Sequence, residues 1–267
     1  MLQGAAKLDK LIDKALEFEQ NSLALTDHGN MFGMLEFYTL ARKKKIKPII
    51  GCDMYIANGD RKKTDYNPGE AVYHKLILIA RDNKGYKNLM KLSSVGYVEG
   101  LHEKPRIDWE SLEKHNGGLT CLTGNYQGEL GALVLEKNQK RIDETLAFYE
   151  KSFGKENVYL CVQDHGLEEE KEVNKYFLKL HETLGYSLVA VNDVHYVERE
   201  NNTSHDVLLC IEGRYKKDDP DRPRFNSDEY YFKSSAEMQA LFSAYPGAIE
   251  NTVKIADECD VEIDFNS

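Results

Sequence analysis

The chain has 267 residues, of which 41% are hydrophobic and 30% are charged; this is the composition of a globular protein with a sizeable core, and an α/β barrel commonly fills this length. Its formal net charge of −10 argues against a domain that grips duplex DNA through a basic surface. No apolar run approaches the ~20 residues needed to cross a bilayer, and no signal peptide opens the sequence.

Helical and extended patterns alternate along most of the chain. Predicted helices cover residues 4–20, 32–45, 84–98, 106–114, 141–153 and 168–184. Predicted strands cover residues 22–25, 49–56, 73–80, 118–122, 158–162 and 188–191. This alternation predicts an α/β fold with a parallel sheet and helices packed outside it.

The sequence after residue 200 has a different character. A polar stretch broken by prolines covers residues 216–224. A short strand is predicted over 229–233, helices over 235–242 and 247–259, and a half-buried strand over 259–265. The chain stops at Ser267 without a terminating feature, which suggests a piece of a longer protein.

The five cysteines are widely spaced and form no CxxC pair. Most of them lie inside apolar runs. This pattern predicts reduced, buried thiols of a cytoplasmic protein and argues against a disulfide framework or a structural zinc site. The cysteines are Cys52, Cys121, Cys161, Cys210 and Cys259.

Two predicted strands end in an aspartate and a histidine. Asp27 and His28 follow the apolar run 23–25, and Asp193 and His195 follow the run 188–191. The carboxyl ends of strands in α/β proteins carry binding and catalytic side chains. Carboxylate oxygen and imidazole nitrogen are both metal ligands, so the two strand ends predict a metal site. The alternative is that Asp27 and His28 cap the helix that follows them.

Several long strings of residues resemble the PHP (polymerase and histidinol phosphatase) domain of bacterial DNA polymerase III alpha subunits. The resemblance runs from residue 4 to residue 265 and is carried by the segments LTDHGN, GCDMYIA, HKLILIARD, LTGN, VNDVHYV and NTVKIADECDVEID. It implies a distorted seven-stranded (β/α) barrel, similar to a TIM barrel, with a metal cluster at the carboxyl ends of its strands. It also implies that residues 1–200 form the barrel core and residues 201–267 a polymerase-specific tail that leads into the polymerase domains.

The resemblance implies a set of metal ligands, position by position. Asp53 stands where the family usually has glutamate, and Asn125 stands where many members have cysteine, which makes Asn125 a poor ligand. Asp53 could instead bond backbone amides, and the histidine of HKLILIA could be a packed side chain. Asp27 and His195 are candidates near a metal-activated water. The implied ligands are His28, Asp53, His74, Asn125, Asp193 and His195.

The family also has an HxH motif on a first barrel strand that precedes the segment matched by residues 4–7. This chain begins inside that segment. The resemblance therefore implies that the barrel here lacks its first strand and two imidazole ligands, so that its metal cluster is incomplete. The segment QDHG at residues 163–166 also recurs in the family, and we interpret it as structural.

The resemblance implies two alternative functions. In the first, divalent Zn, Mn or Fe ions, or Mg, lower the pKa of a bridging water and support phosphoester hydrolysis or 3′–5′ proofreading. In the second, the domain is a non-catalytic scaffold that stabilises the polymerase and docks a separate proofreading exonuclease. The expected partners are the rest of the alpha subunit, other replicase subunits, and DNA bound through the full-length protein, with no membrane.

Overall fold

A computed structural model of the chain describes residues 4–265, which form an α/β fold around a single eight-stranded sheet. The strands are β1 (Ser22–His28), β2 (Lys47–Ala57), β3 (Tyr73–Ala80), β4 (Leu101–His102), β5 (Lys104–Ile107), β6 (Leu119–Leu122), β7 (Val158–Val162) and β8 (Ser187–Ala190). The helices are α1 (Leu8–Glu17), α2 (Met34–Lys43), α3 (Asn83–Val98), α4 (Trp109–Lys114), α5 (Glu129–Leu135), α6 (Gln139–Phe153), α7 (Glu168–Leu184), α8 (Asn202–Gly213), α9 (Ser235–Leu241) and α10 (Glu250–Glu258).

The long strand β2 organises the sheet. Along one edge its first half pairs in parallel with β1, and its last residues pair in parallel with β5. Along the other edge β2 pairs with β3, and β6, β7 and β8 follow in that order. Over residues 4–265, β1 and β8 are not paired with each other, so the sheet forms an open half-barrel.

The sheet is mixed, which corrects the predicted parallel arrangement. β3 runs antiparallel to both of its neighbours, β2 and β6. The reason is the connection over residues 58–72, which contains no helix. A parallel crossover needs a long connection, usually a helix, whereas a loop returns the chain in the opposite direction beside the strand it has left.

Alternating side chains of the strands form two apolar layers. Leu76, Leu78 and their neighbours on the convex face pack beneath helices α3 to α7. The concave face carries Ile79 and residues from the other strands, together with Ile255 of α10. The concave strand residues are Ile49, Ile79, Leu122, Tyr159, Cys161 and Val189. The period of two along each strand thus decides which residues face the interior of the half-barrel.

The outer edge of β8 is covered by the chain before and within α10. The backbone N–H of Ala190 donates to the carbonyl oxygen of Ala248 over 2.9 Å. The side-chain amide of Asn251 donates to the carbonyl oxygen of Leu188 over 2.8 Å. A backbone N–H and a backbone carbonyl group at the free edge of β8 therefore have hydrogen-bond partners in the segment before α10 and in α10 itself.

Several predicted elements differ from the observed ones. The predicted helix 106–114 begins only at Trp109, because residues 104–107 form β5 beside β2. The predicted strand 229–233 is reduced to an isolated bridge between Tyr196 and Tyr231, and residues 259–265 form no strand. Residues 230–232 bond through their backbone to the segment 195–197 after β8, which lies outside the sheet: His195 N–H donates to Tyr230 and Phe232 N–H donates to Val197. Helices α5 and α8 were not predicted.

All five cysteines are free and buried, as predicted. The Cys52 thiol donates to the carbonyl oxygens of Asp27 and Asn30, at 3.3 and 3.2 Å, and so holds the loop after β1 against β2. Within residues 4–265 the structure has no helix that is both long and apolar enough to span a bilayer.

Candidate functional site

A groove of about 1120 Å³ opens on the concave face of the half-barrel. Its apolar floor includes Ile49, Ile77, Ile79, Leu122 and Val189. Polar side chains at its upper end come from the last residue of β1, the middle of β2, the start of β3 and the loop after β8. The fold therefore brings several of the predicted site residues to one end of one groove.

His28 and Asp53 form the first pair in the groove. The parallel register of β1 and β2 places them opposite each other, and His28 Nε2 lies 3.3 Å from Asp53 Oδ2. Asp53 is buried, and its Oδ1 atom has no hydrogen-bond partner. Burial, and next the positive charge of Lys75, lower the pKa of His28 below its usual value. A neutral His28 is therefore favoured near neutral pH.

Asp193 and His195 form the second pair. His195 Nε2 lies 3.4 Å from Asp193 Oδ2, and the ring centroids of His28 and His195 are 6.1 Å apart. Burial raises the pKa of Asp193, but the hydrogen bond and charge of His195 and the charge of Lys75 outweigh it. The net result holds the pKa of Asp193 far below its usual value, so this carboxylate stays ionised. The two strand ends thus meet, as the two Asp-His patterns predict.

Lys75 lies within the same cluster and was missed in the sequence. Its Nζ atom is 3.3 Å from Asp53 Oδ2, and 18% of its side chain is exposed. Burial lowers the pKa of Lys75, but the carboxylates of Asp53 and Asp193 outweigh this and raise the pKa above its usual value. The signal was present in the sequence, because residue 75 shares a strand face with Ile77 and Ile79, which line the groove.

His74 is not brought to the other predicted ligands. As the residue next to Lys75 on β3 it lies on the opposite face of the sheet, where it lines a separate cavity of about 360 Å³ together with Glu129 and Arg141. Burial, and next the charge of Arg141, lower the pKa of His74. His74 therefore belongs to the convex side of the sheet and not to the groove.

Asn125 is buried, and its side chain is committed to other protein groups. Its Nδ2 atom donates to the carbonyl oxygen of Cys161 over 2.9 Å and to Asn174 Oδ1 over 2.8 Å. Its Oδ1 atom accepts the backbone N–H of Tyr126 over 2.8 Å. These bonds tie the loop after β6 to β7 and α7, which is a structural role.

Replacing Asn125 should therefore cost stability rather than metal affinity. We expect Asn125→Ala to lower the free energy of unfolding by about 1–3 kcal/mol, because buried polar groups lose their partners. Urea denaturation of the two proteins with and without added Zn²⁺ measures this. A loss of stability that appears only when Zn²⁺ is present would instead identify Asn125 as a ligand.

Asp27 caps the turn before α2, which is the alternative that the sequence left open. Its Oδ2 atom accepts the backbone N–H of Gly33 over 3.0 Å. The close approach also explains the glycine, since a Cβ atom at position 33 would lie 2.9 Å from the same oxygen. Asp27 and His28 are consecutive residues of a strand, so their side chains point to opposite faces.

The segment 163–166 contributes a further pair to the wall of the groove. His165 Nδ1 lies 2.6 Å from Glu170 Oε1, and the ring of His165 stacks on Tyr230 at 4.2 Å. The backbone N–H of His165 also donates to Glu170, in the first turn of α7. This is the structural role interpreted from the sequence, although His165 Nε2 is buried without a hydrogen-bond partner.

The residues of the groove do not fit a cluster of metal ions. Over residues 4–265 no group of three or more His, Cys, Asp or Glu side chains is arranged to hold an ion. Asp53 Oδ2 already contacts both the Lys75 ammonium and His28 Nε2, each at 3.3 Å. A divalent ion added beside that ammonium would be repelled by it. We therefore derive no reaction step through a metal.

Comparison with protein families matches residues 1–165 of the chain to the PHP domain. Similar curated proteins include DNA polymerase III subunit alpha of Treponema pallidum, which is 44% identical over 264 residues and aligns with 98% of this chain. The subunits of Borreliella burgdorferi and Thermus aquaticus are 42% and 40% identical over 97% and 98% of the chain. The chain spans only 22%, 23% and 22% of the lengths of these three relatives.

Two solved structures resemble the fold at low sequence identity. An amidohydrolase from Chromobacterium violaceum, described with bound sulfate and no metal, has a TM-score of 0.45 and 13% identity over 72% of this chain and 84% of its own. A protein from Bifidobacterium adolescentis described as a metal-dependent phosphoesterase has a TM-score of 0.49 and 9% identity over 90% and 93%.

Proposed function

Because the chain belongs to the PHP domain family, which its residues 1–165 match, we propose that it is the PHP module of the alpha subunit of a bacterial DNA polymerase III. The observation that carries this proposal is the alignment of almost the whole chain, at 40–44% identity, with three polymerase alpha subunits. The similarity includes the residues after 165, beyond the matched family region.

The proposed partners follow from this assignment. The module contacts the remainder of the alpha subunit and other replicase subunits, such as a proofreading exonuclease, in the cytoplasm. With a net charge of −10, its own surface is ill suited to holding DNA phosphates. DNA is therefore bound through other parts of the full-length protein.

Within the polymerase we propose a structural, non-catalytic role for the module. The support comes from the groove, where Lys75 contacts Asp53, Asn125 is committed to structural hydrogen bonds, and His74 lies on the opposite face of the sheet. Metal-assisted phosphoester hydrolysis needs open ligands that hold an ion and a water. The arrangement described above lacks such a set within residues 4–265.

A second candidate function is a phosphoesterase or 3′–5′ exonuclease that binds one divalent ion. It is favoured by the two Asp-His pairs and by the unpartnered Oδ1 atom of Asp53. Three or four nitrogen and oxygen ligands suffice for Zn²⁺. Mn²⁺, Fe²⁺ or Mg²⁺ are the other ions to be tested.

Hydrolysis of 3′-labelled single-stranded DNA separates the two roles. The full-length polymerase, its His195→Ala variant and its Asp193→Asn variant are assayed with added Mn²⁺ or Zn²⁺ and without nucleotides. For a structural module we expect the same background rate in all three proteins. A rate in the unmodified protein that both substitutions abolish would establish the catalytic role instead.

The assignment also predicts that the chain of 267 residues does not extend a primer. DNA synthesis depends on carboxylates that hold Mg²⁺ at the primer end, and no such ligand group is present over residues 4–265. Extension of a labelled primer by the purified chain should equal that of a mock preparation. The longer parent protein is the positive control, and its failure to extend the same primer would contradict the polymerase assignment.

A further inference from the structure

The groove contains a positively charged side chain among groups that would otherwise bind a cation. The Lys75 Nζ atom lies 3.3 Å from Asp53 Oδ2, and only 18% of the Lys75 side chain is exposed. β3 fixes this position, because its pairing with β2 places Lys75 beside Tyr55, two residues after Asp53. The position of the Lys75 backbone in the groove is therefore fixed by the pairing of β3 with β2.

Two carboxylates lie around this lysine. Asp53 and Asp193 both attract the ammonium, and Tyr126 is a weaker neighbour. His28 and His195 each contact one of the two carboxylates. Asp53 is buried and the side chain of Asp193 is 29% exposed, so two carboxylates left alone here would repel each other and be poorly solvated, and a nearby cation stabilises them. Lys75 supplies that cation from the chain itself.

We propose that the ammonium of Lys75 is the permanent cation of this centre, so that the groove folds and remains stable without a divalent metal. A metal ion would have to share Asp53 Oδ2 with the ammonium and would meet its repulsion at short range. Removing the charge of Lys75 would leave the carboxylates of Asp53 and Asp193 without the ammonium beside them. These carboxylates and the imidazoles of His28 and His195 are of the types that bind Zn²⁺ or Mn²⁺. No three of them are arranged around an ion within residues 4–265, so they would have to move closer together to hold one.

This inference rests on the structural role proposed above, but its test measures metal content and melting temperature rather than hydrolysis, so either proposal can fail alone. The purified chain is compared with Lys75→Met, which keeps the aliphatic stem and loses the charge. The matched control is Lys104→Met, since Lys104 also lines the groove and its ammonium lies over the ring of Tyr55, 5.8 Å from the ring centroid. Each protein is dialysed against Zn²⁺ or Mn²⁺, freed of unbound ion, and analysed by mass spectrometry of its metal.

We expect the unmodified chain and Lys104→Met to carry no metal above background and to melt at the same temperature with Zn²⁺, Mn²⁺ or a chelator. Lys75→Met should melt several degrees lower in chelator, recover on addition of metal, and hold about one ion per chain. The added substitution Asp53→Asn should abolish this new binding.

Two results would overturn the inference. One is metal bound by the unmodified chain at about one ion per molecule and lost in Asp53→Asn. The other is a folded Lys75→Met protein, judged by circular dichroism, that neither binds metal nor responds to it. If Lys75→Met is unfolded in chelator, folding on addition of metal supports the inference. If it is unfolded in both conditions, the metal content of the unmodified chain decides.

Discussion

Replacing Arg61 with methionine should lower the free energy of unfolding by about 3–5 kcal/mol, because it leaves the buried carboxylate of Asp108 without its cationic partner. Arg61 Nη1 donates to both oxygens of Asp108, at 3.0 and 2.9 Å, and the remaining guanidinium nitrogens donate to Glu99. Only 8% of Arg61 and 5% of Asp108 are exposed. The residue thus fastens the loop 58–72 to the end of α3 and the start of α4.

The neighbouring Lys62 provides the matched control. Its Nζ atom lies 3.9 Å from Glu99, and 64% of its side chain is exposed. Exposed pairs of this kind contribute about 0–1 kcal/mol, so Lys62→Met should leave the denaturation midpoint almost unchanged. Urea denaturation followed by circular dichroism measures both variants. Equal midpoints for the two variants would show that the Arg61 network does not stabilise the fold.

Gly85→Ala should lower the free energy of unfolding by about 3 kcal/mol or more, because the added methyl group would displace the backbone. A Cβ atom at this position of α3 would lie 2.0 Å from the carbonyl oxygen of Gly118. That oxygen accepts the backbone N–H of Arg81 over 2.9 Å, so it is held in place at the end of β3. Neither backbone can move away without breaking the junction between α3 and the sheet.

The direction of this effect is informative because alanine normally stabilises a helix by about 1 kcal/mol relative to glycine. Gly4→Ala is the control, since its Cβ atom would meet only the carbonyl oxygen of His195, at an ordinary 3.8 Å. Thermal unfolding should therefore place Gly4→Ala within about 0.5 kcal/mol of the unmodified chain. An unchanged or higher melting temperature for Gly85→Ala would refute the packing argument.

The fold was predictable from the sequence wherever an element carries a strong periodic pattern. The α/β class, the helices α2, α3, α6 and α7, and the strands β2 and β3 follow from hydrophobic periodicity. The direction of β3 was predicted wrongly, although residues 58–69 are polar and contain proline and glycine, which predicts a loop; a loop without a helix favours an antiparallel return beside β2. The short strands β4 and β5 were also missed, since two to four residues are too few to show a period.

The sequence predicted that the strand ends carrying His28 and His195 meet, but it paired His28 with its neighbour Asp27, whereas the structure pairs His28 with Asp53. His28 and Asp53 lie opposite each other on the paired strands β1 and β2, and the loop after β8 brings Asp193 and His195 to the same end of the groove. His74 was predicted as a metal ligand because histidine is a common ligand and lysine is not. Only the face of β3 that each side chain occupies shows that Lys75, and not His74, lies in the groove. Asn125 looked like a weakened ligand, whereas its contacts with Cys161 and Asn174 are visible only in three dimensions.

Each of the five buried cysteines can report when the segment that contains it opens to solvent. Burial raises the pKa of Cys52 and Cys121 well above the usual value, that of Cys161 to about 12 and that of Cys259 to about 11. Since only the exposed thiolate reacts quickly, alkylation must wait until the surrounding segment opens. The thiols belong to β2, β6, β7, α8 and the end of α10. The rate at which each thiol is alkylated can be measured by mass spectrometry of the peptides after short pulses of reagent. These rates compare the opening of the central strands β2, β6 and β7 with the opening of the helices after residue 200.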